Sequence, residues 1–378
     1  MRLFKKILLW FVVIFALLNL GVIVTGNSYL YKAAYYQKAG IEDYKFFENR
    51  KVYTGTTIPI PEAKNYNKIK PDPTLRTILE KSKTVAYLVL VNDSVTYEEY
   101  WDSYNAESYS GSFSAAKSII SLLIGIAIDE KKIKNVDEKV SDFIPGYNEG
   151  LNAKLTIKHL LTMSSGFDWN ESYSSPFALI TKAYFGDDLT KIILNLKVVE
   201  EPGIHFHYQS ANTLVLGYIL QKATGKTISD YASEKLWKPL GAKSDALWSL
   251  DKKDGLEKAY CCFNSNARDF SRIGLLALHN GNYNGKQIVS ESYMSASVSA
   301  AKLFNESGCP VYNYGYSWWR ADAFGEDFFY ARGILGQFII VIPQKNMVIV
   351  RLGKENISYK NLIPAEVIAE FTCNNFIK

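Results

Sequence analysis

The sequence of 378 residues contains four cysteines and eleven prolines, and its 24 glycines are an ordinary number for this length. So few cysteines exclude a small scaffold held together by disulfides, and the proline and glycine content excludes a collagen-like chain. Charged residues make up 21% of the sequence and hydrophobic residues 48%. This balance excludes disorder as the main state and predicts a large apolar core.

The chain also lacks a strong excess of charge. Its formal net charge is +5, and three of these charges come from Arg2, Lys5 and Lys6, within a segment up to Thr25 that contains no acidic residue. The rest of the chain therefore carries only +2, without the clustered basic face that nucleic-acid binding requires. We expect no nucleic-acid partner.

What the sequence does have is a long apolar run, from Ile7 to Val24, with no charged side chain. As a helix this run spans roughly 27 Å, close to the hydrocarbon thickness of a bilayer. Residues 1–25 are therefore predicted to form a transmembrane anchor that contacts the lipid bilayer through residues 7–24, and a cleaved signal peptide is the alternative. Because the basic residues precede the run, the rest of the chain is expected to face the periplasm or the cell exterior.

Two further regions follow the predicted anchor. Residues 26–75 are rich in Tyr, Lys and Asn and are predicted to be a stalk or surface segment, and residues 76–378 are predicted to form the main domain. In that domain, β-rich runs at 84–91 and 94–101 flank a short polar turn and predict a hairpin. Apolar helices are expected in the middle, including 118–129, and alternating runs return at 314–320, 338–341 and 347–352. The pattern predicts an α+β fold whose sheet joins both ends of the domain.

The sharpest chemical signal is Ser114 followed three residues later by Lys117, at the start of the apolar helix. Residues at this spacing project from the same face of a helix. A serine hydroxyl becomes a nucleophile when a nearby base takes its proton, and a lysine of depressed pKa can be that base. A solvated lysine would fit poorly in this apolar setting, which favours a catalytic pair.

A second candidate segment contains His205, His207 and Tyr208. In an extended segment the two histidines lie on one face, as two ligands of a metal site do, but no acidic or cysteine partner lies at ligand spacing in the sequence. We therefore predict no metal and no cofactor. Tyr208 is the more useful residue, since a phenol near a lysine can relay protons.

A third candidate is the glycine-containing stretch from Ala331 to Gln337, directly before an apolar strand. Glycine at a strand edge allows a substrate to approach the backbone closely. The stretch is not a phosphate-binding loop, because it lacks the Lys-Ser/Thr ending and a following helix.

In this order, Ser114-x-x-Lys117, Tyr208-x-Ser210 and the glycine motif resemble the three motifs of penicillin-recognising serine hydrolases. The chain is similar to the beta-lactamase-related superfamily: to class C beta-lactamases, to family VIII esterases and, more closely, to 6-aminohexanoate-dimer hydrolases. The supporting segments, within a likeness that covers residues 76–370, are 112–118, 155–166, 202–203 and 267–274.

The resemblance implies an antiparallel sheet flanked by helices, with a mostly helical region inserted and the site at the junction. It implies Ser114 as the acylated nucleophile, with Lys117 assisting its deprotonation and Tyr208 shuttling the proton. The backbone N–H groups of Ser114 and Ile334, next to Gly333, would bind the oxyanion.

The sequence departs from the beta-lactamase pattern at two positions. Ser210 stands where those enzymes have Asn, as in the nylon-oligomer hydrolases, and Ala331 stands where they have Lys or His. That cation normally faces the carboxylate of penicillins, and the Arg332 side chain is expected on the opposite strand face. The sequence therefore favours a membrane-anchored hydrolase of small esters or amides over a beta-lactamase or DD-peptidase-like enzyme.

Several alternatives stay open at this point. A non-catalytic member of the fold, either a ligand sensor or a binding protein, is disfavoured because the serine, lysine and tyrosine are all present. Cys261 and Cys262 are adjacent, so a bridge between them would be strained. Free thiols, or a bridge from one of them to Cys309 or Cys373, are expected instead. The sequence gives no oligomeric state.

Overall fold

The structure is a computed structural model that describes residues 2–360 and 362–377. Its helices are α1 (Arg2–Val24), α2 (Tyr29–Tyr36), α3 (Pro73–Lys81), α4 (Ala116–Asp129), α5 (Ile157–Leu161), α6 (Leu179–Phe185), α7 (Leu189–Asn195), α8 (Ser210–Thr224), α9 (Ile228–Ala232), α10 (Ala267–Leu278), α11 (Glu291–Ser297) and α12 (Pro364–Phe376). Its strands are β1 (Asn49–Val52), β2 (Thr84–Val91), β3 (Ser94–Tyr100), β4 (Ser110–Gly111), β5 (Ala246–Ser249), β6 (Phe263–Ser265), β7 (Asn282–Tyr283), β8 (Lys286–Gln287), β9 (Leu303–Phe304), β10 (Pro310–Val311), β11 (Trp319–Ala323), β12 (Glu326–Gly333), β13 (Gln337–Ile342) and β14 (Met347–Gly353).

The main sheet is antiparallel and has the strand order β11-β12-β13-β14-β2-β3. The first hairpin, β2–β3, therefore pairs with strands from the end of the chain, which confirms the predicted α+β fold with a sheet built from both ends of the domain. Strands β13 and β14 are buried along their whole length. They are apolar on both faces because helices cover both sides of the sheet, α10 on one side and α3 and α12 on the other.

The close packing of α10 on the sheet depends on a small residue. A Cβ added at Gly274 would lie 2.4 Å from Val348 Cγ1, well inside van der Waals contact. The glycine thus lets the helix approach β14 closely. This packing fixes the sheet against the layer that carries the central helix.

Helix α4 is the central helix, and all of its residues from Ala116 to Ala127 are buried. It packs against α8 in the inserted, mostly helical region, and its first turn lies beside β12. An apolar helix that is covered on every side is the arrangement expected for the interior of a large domain. The fold therefore places the start of α4 at the junction between sheet and helices.

A strand was expected at Ala331 and Arg332, but the sequence did not predict that strand β12 begins at Glu326. The motif from Ala331 to Gly333 is the end of this strand, and residues 334–336 form the turn that leads into β13. The segment 326–333 alternates weakly because Phe328, Phe329 and Tyr330 are all apolar and buried on both faces of the sheet.

The first 75 residues contain two different kinds of structure. Helix α1, 23 residues long and exposed along nearly its whole length, is long and apolar enough to cross a bilayer. Beyond it, Tyr29, Ile41 and Val52 are buried in the main core, and β1 pairs with β5. The residues after α1 therefore pack on the body of the protein, and the boundaries at 25 and 75 remain predictions.

Candidate functional site

Ser114 lies in a tight turn between β4 and α4. Residues 113–115 form one turn of 3-10 helix, and Phe113 has a φ of 45°, a left-handed conformation that is uncommon for a bulky residue. Strained backbone of this kind persists only where the surroundings impose it, and it is concentrated at functional sites. The turn holds Ser114 at the wall of a pocket while its neighbours are buried.

The Lys117 amine is buried beside the Ser114 hydroxyl. Its Nζ lies 3.0 Å from Ser114 Oγ, 3.2 Å from Ser210 Oγ and 2.8 Å from the carbonyl oxygen of Tyr260. Burial lowers the pKa of Lys117 to about 8, and the negative charge of Glu171 opposes this change. With this pKa about a tenth of the amine is neutral at pH 7, far more than for an ordinary lysine, and the neutral form is the one that can accept a proton.

Tyr208 stands directly before α8, close to the same amine. The Nζ of Lys117 lies 5.2 Å from the centroid of the Tyr208 ring, and the Trp319 ring packs against the tyrosine at 5.3 Å. Burial raises the pKa of Tyr208, while a hydrogen bond with the Ser114 hydroxyl and the charge of Arg332 act in the opposite direction. The phenol is thus neutral at physiological pH and faces the Ser114–Lys117 pair.

Ser210 links the lysine to an acidic residue that sequence reasoning missed. The Ser210 hydroxyl donates to Glu171 Oε1 at 2.6 Å, and the Ser210 backbone N–H donates to Oε2 at 2.8 Å. The Glu171 carboxylate also accepts hydrogen bonds from the Trp169 indole and the Tyr173 hydroxyl. Glu171 lies in the loop between α5 and α6, where the sequence has no periodic pattern that would single it out.

The third motif approaches Ser114 through Gly333. A Cβ added at this glycine would lie 2.2 Å from the carbonyl oxygen of Ser112 and 3.0 Å from Phe113 Cβ. Only glycine allows the end of β12 to pack against the turn that carries the serine. As a result Ile334 and Ser114 line the same pocket.

A buried arginine supports the turn after Ile334. Arg351 donates to the carbonyl oxygens of Leu335 and Gly336, both at 2.8 Å. Burial lowers the pKa of Arg351 to about 9. The guanidinium thus uses its donors on backbone carbonyls and holds the Leu335–Gly336 turn in place.

The two residues before Gly333 differ in exposure. Ala331 is fully buried in the main core, and Arg332 is exposed, with its guanidinium carbon 5.6 Å from the centroid of the Trp319 ring. The Trp319 ring therefore packs against both Arg332 and Tyr208, and the charge of Arg332 acts to lower the pKa of the Tyr208 phenol.

A cavity of about 360 Å³ opens over Ser114. Its wall is mostly apolar, with Phe113, Ile180, Phe185 and Leu335 among the lining residues, and Lys38 is the one charged lining residue in the described part of the chain. The segment before residue 75 contributes part of this wall. The structure therefore brings the predicted residues together. Ser114, Ser210 and Ile334 line this pocket, and Lys117, Tyr208 and Gly333 lie next to them.

These motifs agree with what comparison to known proteins finds. A family model described as Beta-lactamase matches residues 73–362. The chain belongs to the beta-lactamase family. It is 28% identical over 303 residues to the 6-aminohexanoate-dimer hydrolase of Paenarthrobacter ureafaciens, a match that covers 74% of this chain and 75% of that enzyme.

Solved structures share the fold. A provisionally assigned 6-aminohexanoate-dimer hydrolase from Bacillus anthracis has a TM-score of 0.76 and 23% sequence identity, over 89% of this chain and 91% of that one. A family VIII carboxylesterase has a TM-score of 0.66 and 15% identity, over 84% and 99% of the two chains. The resemblance inferred from the motifs is therefore confirmed, and the chain is a hydrolase with the beta-lactamase fold.

The cysteines of this beta-lactamase-family chain differ from expectation. Cys261 and Cys262 form a disulfide with each other, while Cys309 and Cys373 are free. The prediction of free thiols, or of a bridge to a distant cysteine, was wrong for this pair. The two residues occupy a tight turn before β6 in which Cys262 has a φ of 66°, and that turn brings their side chains together. Cys261 lines the pocket next to Tyr260.

The charge of Glu171, which is linked to Lys117 through the Ser210 hydroxyl, gives a first prediction. The Glu171 carboxylate stabilises the Lys117 ammonium, so Glu171→Gln is expected to lower the pKa of Lys117 below its value of about 8. The ¹³Cε chemical shift of lysine-labelled protein, followed against pH, measures this directly.

Lys258 is an internal control for that titration. It is also buried, its pKa is lowered to about 7 by burial, and its carboxylate neighbour is Asp251 rather than Glu171. The Lys258 midpoint should not change in Glu171→Gln. A Lys117 midpoint that stays constant or rises would show that Glu171 does not act on this amine.

Proposed function

We propose that the protein is a membrane-anchored serine hydrolase that acts through an acyl-enzyme on small esters or amides. The observation that carries this proposal is the buried Lys117 amine, 3.0 Å from Ser114 Oγ, with a pKa lowered to about 8. A nucleophile and a base within hydrogen-bond distance are the signature of an activated serine.

In the proposed mechanism, neutral Lys117 accepts the proton of the Ser114 hydroxyl as Oγ attacks the carbonyl carbon of the substrate. The negative charge that forms on the carbonyl oxygen is stabilised by the backbone N–H groups of Ser114 and Ile334, each contributing about 3 kcal/mol. Tyr208 donates its phenolic proton to the leaving alcohol or amine and takes up the proton that Lys117 holds, so both residues return to their starting forms. Water then attacks the acyl-enzyme carbonyl and gives one proton to Lys117. That proton passes to Ser114 Oγ as the bond from Oγ to the acyl carbon breaks and the carboxylic acid leaves.

The substrate class follows from the pocket. Its wall is mostly apolar, and the position that supplies a cation in penicillin-recognising enzymes holds the fully buried Ala331. The similarity to a 6-aminohexanoate-dimer hydrolase supports an amide, and the fold shared with a family VIII carboxylesterase is compatible with an ester. A neutral acyl group of small size fits these features best.

The nucleophile is tested by substitution at the three central residues. Ser114→Ala should abolish hydrolysis and labelling by a fluorophosphonate probe, since no other hydroxyl replaces the attacking oxygen. Lys117→Ala and Tyr208→Phe should each lower kcat by about 10² to 10⁴ if they transfer the proton. Ser118→Ala, the next buried serine of α4, whose hydroxyl donates to the Ser317 carbonyl at 2.7 Å, is the matched control and should still be labelled. Wild-type turnover in Ser114→Ala would contradict the mechanism.

The substrate preference is tested with a neutral p-nitrophenyl ester and with nitrocefin, which carries a carboxylate. A charge-assisted hydrogen bond to a substrate carboxylate contributes roughly 1.5–3 kcal/mol, so its absence should cost nitrocefin about ten- to a hundredfold in kcat/KM relative to the ester. Lys38 lines the pocket but is exposed, so Lys38→Ala should leave the ratio of the two rates nearly unchanged. Efficient nitrocefin turnover that is lost in Lys38→Ala would instead make Lys38 the carboxylate-binding cation.

The anchor is supported by the exposed apolar surface of α1, which no described part of the protein covers. Deleting residues 1–25 should release an active enzyme, because α1 contributes no residue to the pocket. Deleting residues 1–40 should lower kcat/KM as well, because Ala33 and Lys38 line the pocket. Membrane fractionation of both truncated proteins and of the full chain measures the release, and ester hydrolysis measures kcat/KM.

If expression of the full sequence gives soluble protein whose N-terminus lies near residue 26, the segment is a cleaved signal peptide and not an anchor.

A further inference from the structure

A cluster of two histidines and two glutamates lies outside the pocket, in the segment that leads into Tyr208. Glu200, His205 and His207 each turn one possible ligand atom inward, and these three atoms lie within 4.8 Å of one another. Glu306 reaches the cluster from the loop between β9 and β10. The sequence predicted no metal because no acid lies at ligand spacing from the histidines. The fold supplies two carboxylates.

Each ring nitrogen of His207 lies close to a carboxylate oxygen. Glu200 Oε2 lies 3.1 Å from Nε2, and Glu306 Oε1 lies 3.2 Å from Nδ1. A neutral imidazole has a single N–H and can donate to only one of these carboxylates. The other ring nitrogen then directs a lone pair towards a carboxylate oxygen, which is unfavourable unless a proton or a metal ion lies at that position.

His205 provides a second imidazole nitrogen at the same place. Its Nδ1 lies 3.8 Å from the same Glu200 Oε2, too far for a hydrogen bond. Two imidazole nitrogens therefore converge on one carboxylate oxygen. A metal ion suits this arrangement, because it can bind all three atoms at once.

The spacing also suits a transition metal. Bonds of 2.0–2.2 Å in a tetrahedral site place neighbouring ligand atoms about 3.3 Å apart. The two measured separations from Glu200 Oε2, 3.1 and 3.8 Å, bracket this value, and the three candidate ligand atoms lie within 4.8 Å of one another. Two imidazoles and one carboxylate favour Zn²⁺ over Mg²⁺ or Ca²⁺, which prefer oxygen ligands only.

We propose that Glu200, His205 and His207 form a binding site for a divalent transition metal of the zinc class. Glu306 accepts the Nδ1–H of His207 and so fixes the tautomer in which Nε2 binds the metal. Glu201 does not take part, because its carboxylate pairs with Lys154 at 2.8 Å.

Glu306 connects the metal-ligand segment, residues 200–207, to the loop between β9 and β10, about a hundred residues later. The Phe206 N–H donates to the Phe304 carbonyl at 2.8 Å, and the Phe304 N–H donates to the Ile204 carbonyl at 3.1 Å. A bound metal would reinforce this short pairing immediately before Tyr208, without touching the reacting atoms. The site is therefore structural, and it does not depend on the proposed hydrolase mechanism.

Calorimetric titration of the full-length chain in detergent with ZnCl₂, free of chelators and thiols, tests the proposal. We expect saturable binding of one zinc ion per chain. His207→Ala should weaken binding about a hundredfold or more, and Glu306→Gln should weaken it about tenfold with unchanged stoichiometry. Visible absorption of the Co²⁺-loaded protein should show the bands of a tetrahedral site and should lose them in His207→Ala.

Two variants control for other zinc ligands. His279→Ala removes an exposed histidine that pairs with Asp93, and Cys309→Ser removes the exposed free thiol. Neither should change zinc binding. His205→Ala, whose side chain is 43% exposed, provides a ligand variant that should fold normally if His207→Ala does not. Absence of saturable binding, binding that both histidine variants retain, or binding that Cys309→Ser abolishes would each overturn the proposal.

Discussion

The site depends on the burial of one amine. Lys117 is almost fully buried at the start of an apolar helix, and among the described residues no carboxylate lies within ion-pair distance of its Nζ. Three oxygens surround the amine, from two hydroxyls and one backbone carbonyl. Removing a charged amine from water is costly, so the neutral form is favoured and the pKa falls. The same burial that makes Lys117 unfavourable for stability makes it a base at physiological pH.

The rest of the site can be understood as support for that amine. The Ser210 hydroxyl accepts a hydrogen bond from Lys117 Nζ and donates one to Glu171. The carboxylate therefore acts on the amine only through an intervening hydroxyl. A direct ion pair would hold Lys117 in its charged form. Placing the acid one residue further away allows its negative charge to moderate the effect of burial without cancelling it, which leaves the pKa at about 8.

Periodicity and motif resemblance account for the parts of this site that could be predicted from the sequence. The roles of Tyr208, Ser210 and Ile334 came from the resemblance. Ser114 and Lys117 share a helix face because a helix repeats every 3.6 residues, and the apolar run that follows predicts their burial. Glu171 could not be found in this way, since its position depends on the path of an irregular loop. Most of strand β12 was missed because its apolar residues, 328–331, form only a short run beside the charged Glu326 and Asp327.

Two further features of the structure differ from the sequence-based predictions, one because of long-range strand pairing and one because of a local turn. Glu306 meets His207 only because β9 lies beside residues 204–206, a contact between segments about a hundred residues apart. The Cys261–Cys262 bridge was judged strained from sequence because an ordinary extended backbone separates adjacent side chains. The turn at Cys262, with its positive φ, removes that obstacle. Sequence pattern reports neither kind of contact.

The position of the pocket relative to the proposed anchor limits how substrates reach it. Helix α1 ends at Val24, and Ala33, nine residues later, already lines the pocket. Even a fully extended chain of nine residues spans only about 30 Å, and α2 takes up part of this length as helix. An enzyme anchored by α1 would therefore hold its pocket within about 30 Å of the membrane surface. The enzyme would then take its substrates from the solution next to the bilayer. Apolar molecules concentrate there, and a mostly apolar pocket binds them better than it binds strongly charged solutes.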